Sequence, residues 1–205
     1  MAEFFGSLYT YPWDLADEGM DLAMERFATT GCEEVMLTPC YHQSTYFLPH
    51  NPKRPVYPGD DGAIYFSPDL SRYEGTRLKP YVSKEVTDPE WFDRIVDGIG
   101  KHGLRLGLWV VYTFQTNLTL KYPEFANHDA FGTPHRMRLS LGPTDVQEYM
   151  LALTSEVLER FKPSILLIES LKRRSMAVPP KNRAQMTARC QALLTVCFNP
   201  GSVQI

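Results

Sequence analysis

The stretch Glu34-Val35-Met36-Leu37-Thr38 is a short, mostly apolar run of the kind that forms a buried strand. Before it, apolar side chains recur at helical spacing, which predicts a helix over about residues 17–30. Gly31 follows that helix and can take the left-handed conformation that ends one. The aromatic-rich run from Phe4 to Tyr9 is typical of a first strand. A strand, a helix and a strand in this order nearly always pair in parallel.

The same alternation returns further along the chain. Helical spacing predicts helices over about residues 89–102 and 144–161, and the second of these opens with a Thr144/Gln147 capping box. Apolar runs from Leu104 to Tyr112 and from Ile165 to Ile168 follow the two helices. Four strands alternating with three helices indicate an α/β fold of parallel (β/α) units, either a layered sheet or part of a barrel.

Two long insertions and a tail interrupt this alternation. Residues 43–89 hold seven prolines, and the run Ala63 to Phe66 within them favours a short hairpin in an ordered lid. A second polar insertion runs from Thr113 to Arg136. We therefore expect a (β/α) domain over residues 1–171 and a divergent basic tail over residues 172–205 with one helix.

Composition sets the class of protein. The chain has 205 residues, of which 43% are hydrophobic and 22% charged, as in folded globular domains. The net charge of −3 gives no excess of basic residues that would bind a nucleic-acid backbone, so we do not expect a nucleic-acid partner. No apolar stretch is long enough for a membrane span. The four cysteines form no C-x-x-C pair and no signal peptide is apparent, so we expect a cytoplasmic protein with reduced thiols.

Polar and aromatic side chains follow the predicted strands directly, and parallel strands bring their carboxyl ends to one edge. Such a mixture suits a carbohydrate, because rings stack on the C–H faces of sugars while polar groups bind hydroxyls. We expect a carbohydrate or another small molecule as the substrate. The candidate catalytic residues are Glu169, His42 and Asp14, and the candidate substrate-binding residues are Tyr11, Trp13, Tyr41, Tyr112 and Asn117.

Glu169 is the most specific of these candidates, because it follows four aliphatic residues and should point into the mouth of a barrel. It could equally cap a helix or form a salt bridge. His42 could act as a base or donor, or be structural, and Trp109 alternates with its neighbours as a core residue would. The other histidines lack metal-ligand spacing, and no dinucleotide, P-loop or serine-hydrolase motif occurs, so we expect neither a metal nor a cofactor.

Four segments together resemble the amino-terminal half of uncharacterised glycoside hydrolase-like TIM-barrel proteins. They are Tyr9 to Asp14, Glu34 to His42, Leu104 to Tyr112 and Leu141 to Tyr149. The resemblance implies a half or truncated TIM barrel and a catalytic or sugar-binding acid after strand four, the position of Glu169. A full barrel needs eight strands, and the partner acid that hydrolysis would use on a later strand has no counterpart here.

Three functional hypotheses follow. The first is a glycoside hydrolase-like protein, weak or inactive because the barrel is incomplete. The second is a metal-dependent sugar isomerase or epimerase, in which a strand-end glutamate and histidine would hold the ion. The third is a non-catalytic carbohydrate-binding half barrel that forms a homo-oligomer, pairing with a second copy to close its sheet.

Overall fold

The computed structural model describes residues 6–129 and 131–171. The strands are β1 Ser7–Thr10, β2 Glu34–Tyr41, β3 Thr45–Phe47, β4 Val56–Pro58, β5 Ala63–Ile64, β6 Tyr81–Val82, β7 Arg105–Val111, β8 Ala126–His128, β9 Pro134–Leu139 and β10 Ile165–Glu169. The helices are α1 Pro12–Glu18, α2 Met20–Thr29, α3 Trp91–Lys101, α4 Thr116–Lys121 and α5 Thr144–Phe161. The predicted basic tail with its helix lies outside the described residues.

Four parallel strands form the centre of the molecule in the order β1, β2, β7, β10. Strand β2 is buried along its whole length, and its parallel pairing with β7 confirms the sequence prediction. Helices α2, α3 and α5 connect successive strands, as the alternation of patterns predicts. The fold is therefore α/β with parallel (β/α) units.

The central sheet stays open in the described residues. Strand β10 pairs only with β7, and β1 pairs only with β2, so no ring of strands closes. The described residues thus form an open sheet with four parallel strands at its centre, and the half or truncated barrel stays a prediction. The expected pairing with a second copy stays a prediction. Within the described residues no helix is long and apolar enough to cross a membrane.

The first predicted helix is two helices. Helix α1 begins at Pro12, in a segment that the sequence assigns to a loop, and Gly19 separates it from α2 with φ of 91°. Proline suits the first turn of a helix because its missing N–H would have no partner there. Glycine suits the break because it adopts positive φ without steric cost. As a result Asp14 lies on a helix rather than on a loop.

Residues 43–89 form part of the core, and the expected lid is wrong. The hairpin pairs β3 with β4, whereas β5 pairs antiparallel with β2 and parallel with β6. All four residues from Ala63 to Phe66 are fully buried, as are several large side chains around them. Arg54 anchors the segment to α1 through Asp17, and its two bonds of 2.8 Å to Glu85 join two parts of the segment itself.

Helix α5 begins at Thr144 as predicted, but not through the predicted capping box. Pro143 occupies the capping position and makes no side-chain cap. Gln147 instead donates to the backbone oxygens of Leu141 and Gly142, at 2.9 and 3.2 Å. The helix start is therefore set by proline and by a side chain that reaches back to the preceding loop.

Glu34 joins the amino-terminal ends of the parallel strands. Its carboxylate is fully buried. It accepts one hydrogen bond from the Oγ atom of Ser7, the first residue of β1, and another from the Oγ atom of Ser164, which directly precedes β10. To reach Ser164 it passes Gly107 on β7, where a Cβ atom would lie 2.9 Å from Glu34 Oε1. The glycine thus leaves the space that lets one side chain connect four strands.

We expect Glu34→Ala to lower the free energy of unfolding by about 2–4 kcal/mol, because two buried hydroxyl groups lose a charged acceptor. Glu34→Gln should lose less, since an amide keeps one acceptor. Chemical denaturation measures both. Glu33→Ala is the matched control, because Glu33 forms only an exposed pair with Arg105 and should change stability by less than about 0.5 kcal/mol. Equal losses at the two positions would contradict the role of Glu34.

Glu156 is a buried carboxylate on α5 that holds the segment 69–73. It accepts from the backbone N–H of Asp69 at 2.6 Å and from the Tyr73 hydroxyl at 2.7 Å. Burial raises its pKa above the ordinary 4.5, and the two hydrogen bonds offset that rise only in part. The folded state therefore holds the Glu156 proton more tightly than the unfolded state does.

A raised pKa in the folded state contributes stability that is complete below the ordinary pKa and is lost as the pH rises through the folded value. The stability of the parent should therefore fall relative to Glu156→Gln over the range of pH that begins at the ordinary pKa of 4.5 and extends upwards, because glutamine does not titrate. Urea denaturation across this range measures the difference. Glu159→Gln, at an exposed position of the same helix, should keep the parent's pH dependence.

Candidate functional site

The carboxyl ends of β1, β2, β7 and β10 lie at one edge of the sheet because the four strands are parallel. Tyr11 follows β1, Tyr41 and His42 lie at the end of β2, and Glu169 ends β10. We call the set Tyr11, Tyr41, Trp109 and Glu169 the strand-end rim.

Glu169 is held in place by a tryptophan. Trp109 Nε1 donates to Glu169 Oε2 at 2.6 Å, and Ser170 Oγ lies 3.4 Å from the other carboxylate oxygen. Both Glu169 and Trp109 are partly exposed, so the carboxylate stays accessible. It forms no salt bridge to a described residue, in contrast to the structural alternative that the sequence left open.

Trp109 is the rim residue for which the sequence left two interpretations open, a role in shaping the pocket and, as the favoured one, a place in the core. Register explains its position, because Glu169 pairs with Val111 and Trp109 lies two residues earlier on the same face of β7. Alternation within β7 shows only that Trp109 and Val111 share a face. Which face looks into the open side of the sheet depends on the neighbouring strands. The sequence therefore indicated which residues of β7 share a face, but not towards which side of the sheet that face points.

Aromatic rings form the surface beside Glu169. Tyr41 meets Trp109 edge to face at 4.7 Å between ring centroids, and Tyr11 meets Tyr41 at 5.5 Å. Tyr11 also stacks on Trp13 at 4.6 Å with only 12° between the ring planes. The buried Trp13 thus supports Tyr11 from below, and the rings of the rim are fixed relative to the carboxylate.

The two tyrosine hydroxyls of the rim stay protonated at neutral pH. Burial raises the pKa of Tyr11, a hydrogen bond from Tyr41 opposes this, and the negative charges of Glu169 and Asp14 raise it further. Burial likewise raises the pKa of Tyr41, and its interaction with Tyr11 adds to the rise. The Tyr41 hydroxyl gives its one proton to Tyr11, so Tyr11 is the phenol of this pair that is left to donate to a ligand oxygen.

His42 lies at the same edge but turns towards its own loop. Its Nδ1 contacts the backbone oxygen of Gln43 at 2.8 Å, and its ring stacks on Tyr41 at 4.4 Å and lies 5.4 Å from Phe114. This arrangement fixes the ring and leaves Nε2 as the atom that could meet a ligand. A catalytic role for His42 stays a prediction.

Three candidate substrate-binding residues have structural roles. Trp13 is fully buried beneath Tyr11, and Tyr112 is fully buried with its hydroxyl 2.5 Å from Thr154 Oγ1 on α5. Neither ring reaches solvent, so the expectation that they touch a substrate is wrong for this structure. Asn117 donates to the backbone oxygen of Asp61 at 2.6 Å and thereby joins the two insertions.

Asp14 belongs to a second polar group, which we call the Asp14 cluster: Asp14, Glu18 and His50. His50 Nε2 lies 2.9 Å from Asp14 Oδ2 and 3.2 Å from Glu18 Oε1. The cluster lines a pocket of about 350 Å³ together with Tyr9 and Tyr11, among other residues. The sequence analysis missed this cluster, because it assigned Asp14 to a loop and so did not place Asp14 and Glu18 on one helix face, and because His50 comes from the insertion.

Comparisons with known proteins bear on the fold. An α-L-fucosidase isoenzyme 2 from Paenibacillus thiaminolyticus aligns with a TM-score of 0.65 and 11% identity over 98% of this chain and 32% of that chain. A maltogenic α-amylase from Thermotoga neapolitana aligns with a TM-score of 0.54 and 16% identity over 94% of this chain and 43% of that chain. A hypothetical protein from Ruminiclostridium thermocellum aligns with a TM-score of 0.63 and 14% identity over 96% and 94% of the two chains.

No protein-family model and no curated protein matches the sequence. The structural resemblance supports the glycoside hydrolase-like α/β fold that the sequence motifs imply. At these identities it shows the fold alone. The chain spans less than half the length of the two enzymes, so their activities do not transfer to it directly.

If the Glu169 carboxylate lies beside Tyr11 as described, Glu169→Gln should lower the Tyr11 pKa, because one of the charges that raise it is removed. NMR of tyrosine labelled with ¹³C at the ring carbon that bears the hydroxyl follows this titration, and Tyr11→Phe assigns the signal. Asp21→Asn, an exposed change on α2, should leave the Tyr11 pKa unaltered. An unchanged Tyr11 pKa in Glu169→Gln would contradict the geometry of the rim.

Proposed function

We propose that the strand-end rim binds a carbohydrate and that Glu169 is the carboxylate that acts on the sugar or hydrogen-bonds to its hydroxyls. The observation that carries the proposal is the Trp109–Glu169 hydrogen bond of 2.6 Å within an aromatic surface. The fold shared with part of a fucosidase and an amylase adds support of a general kind.

The rim offers the contacts that a sugar ring needs. The partly exposed rings of Tyr11 and Trp109 suit the C–H surface of a pyranose, and the buried Tyr41 ring packs against both of them. The protonated Tyr11 phenol donates a hydrogen bond to the sugar, whereas the Glu169 carboxylate accepts hydrogen bonds from sugar hydroxyls. Because Trp109 uses its own N–H on Glu169, the carboxylate is oriented before a ligand arrives.

Hydrolysis needs more than Glu169. Glycosidases place two carboxyl groups about 5–9.5 Å apart, one as an acid and the other as a nucleophile or base. Asp14, the other strand-end acid among the candidates, is already engaged by His50 and by Asn51 at 2.8 Å. We therefore expect the 205-residue chain to bind a sugar but to hydrolyse glycosides weakly or not at all.

The isomerase alternative would need a metal held by Glu169 and His42. Among the described residues, the group of three or more metal-ligating side chains consists of Asp14, Glu18 and His50, and it includes neither of those two. This observation favours the glycoside hydrolase-like proposal over a metal centre at the rim.

Glu169→Gln should weaken sugar binding at least about tenfold, because the amide keeps the shape of the side chain but loses the charged acceptor. Isothermal calorimetry with a panel of monosaccharides and short oligosaccharides measures binding, and chromogenic aryl glycosides measure hydrolysis. Glu124→Gln is the control, since Glu124 forms an exposed pair with Arg77 away from the rim aromatics.

Trp109→Phe separates the two parts of the rim. It keeps an aromatic ring but removes the N–H that orients Glu169, so it should weaken binding less than Glu169→Gln does. Unchanged sugar binding in Glu169→Gln would contradict the proposal. Robust hydrolysis by the parent that is lost in Glu169→Gln would establish an enzyme and contradict our expectation of weak activity.

A further inference from the structure

We propose that Asp14, Glu18 and His50 form a binding site for a divalent transition-metal ion, with Zn²⁺ as the probe that fits the ligand set best. The proposal is independent of the proposed carbohydrate function, because it concerns different side chains and a pocket beside the rim. Its basis is the position of three potential ligand atoms, one from each residue, all within 4.8 Å of one another.

The two distances from His50 to the carboxylates match the edges of a coordination shell. Two ligands bound at about 2.1 Å to one ion, with 90° to 109° between the bonds, lie roughly 3.0–3.4 Å apart. His50 Nε2 lies 2.9 Å from Asp14 Oδ2 and 3.2 Å from Glu18 Oε1. An ion can therefore be accommodated with small adjustments of side chains that already converge.

Neighbouring donors orient the two carboxylates. Asn51 Nδ2 donates to Asp14 Oδ1 at 2.8 Å, and Arg26 Nη1 donates to Glu18 Oε2 at 2.7 Å. In each carboxylate one oxygen is thus fixed by a neighbour while the other faces His50. Outer hydrogen bonds of this kind are characteristic of metal ligands, whose orientation they set.

The elements of the fold fix where the ligands come from. Asp14 and Glu18 are four residues apart on α1 and therefore share one face of the helix. Both side chains are only 7% exposed, whereas His50 is 48% exposed. The acids thus form the base of the site, and the histidine forms its accessible side, through which an ion can enter.

The chemistry of the ligand set selects the kind of ion. Ca²⁺ and Mg²⁺ prefer oxygen ligands alone, whereas Zn²⁺ and related ions accept imidazole nitrogen with carboxylate oxygen. Three protein ligands leave a coordination position open, and the pocket of about 350 Å³ lies next to it. A water molecule or a small ligand can occupy that position.

The competing explanation is a protonated His50 that pairs with the two carboxylates and binds no metal. Calorimetry on the 205-residue chain, stripped of metal with a chelator and titrated with Zn²⁺, distinguishes the two. The parent should bind one equivalent of Zn²⁺ that His50→Gln binds at least about tenfold more weakly. His102→Gln is the matched control, because His102 also lies near an acid, 3.6 Å from Asp21, but has no third ligand.

Two further measurements keep the test decisive. Glu18→Gln, on a different element from His50, should weaken the same equivalent of Zn²⁺, and circular dichroism verifies that each variant is folded. Co²⁺ bound in place of Zn²⁺ should give a visible absorption band in the parent and in His102→Gln that is lost in His50→Gln. Equal Zn²⁺ binding by the parent and His50→Gln, or no binding by the parent, would overturn the proposal and establish the ion pair.

Discussion

The buried carboxylate of Glu34 is the interaction on which the arrangement of the sheet depends. It receives a hydroxyl from each outer strand of the parallel set, Ser7 on β1 and Ser164 before β10, although two strands separate them. This is feasible only because Gly107 leaves space on the strand between. One buried side chain thus connects the amino-terminal ends of the parallel strands, and the candidate sites lie at the opposite ends.

Two polar centres lie beside each other at those opposite ends, and aromatic rings connect them. Tyr9 lines the pocket of the Asp14 cluster and also meets Trp109 edge to face at 5.3 Å. Tyr11 lines the same pocket, and the charges of both Asp14 and Glu169 contribute to raising its pKa. A change of charge at Asp14 or at Glu169 is therefore expected to change the pKa of Tyr11, which lies in both centres.

The long insertion shows how a composition typical of loops can form core. Residues 43–89 are rich in proline, yet Tyr57, Tyr65 and Tyr73 are fully buried in them. The anchors of this segment to the rest of the domain are polar, since Arg54 binds Asp17 on α1 and Tyr73 donates to Glu156 on α5. The segment also supplies His50 and Asn51, which surround Asp14. It is thus a structural support for the candidate sites rather than a cover over them.

The sequence by itself determined the alternation of strands and helices, the parallel order of the four central strands and the presence of Glu169 at a strand end, because these follow from local periodicity and from the handedness of crossovers. Only the tertiary structure decided which aromatic residues face the open side: it buried Trp13 and Tyr112 and brought Trp109 to Glu169. It alone joined His50 to Asp14 across 36 positions of sequence. The physical reason is that periodicity shows only which side chains share a face of a strand or helix. Register, sheet curvature and long-range contacts between insertions decide which way that face points and what it contacts.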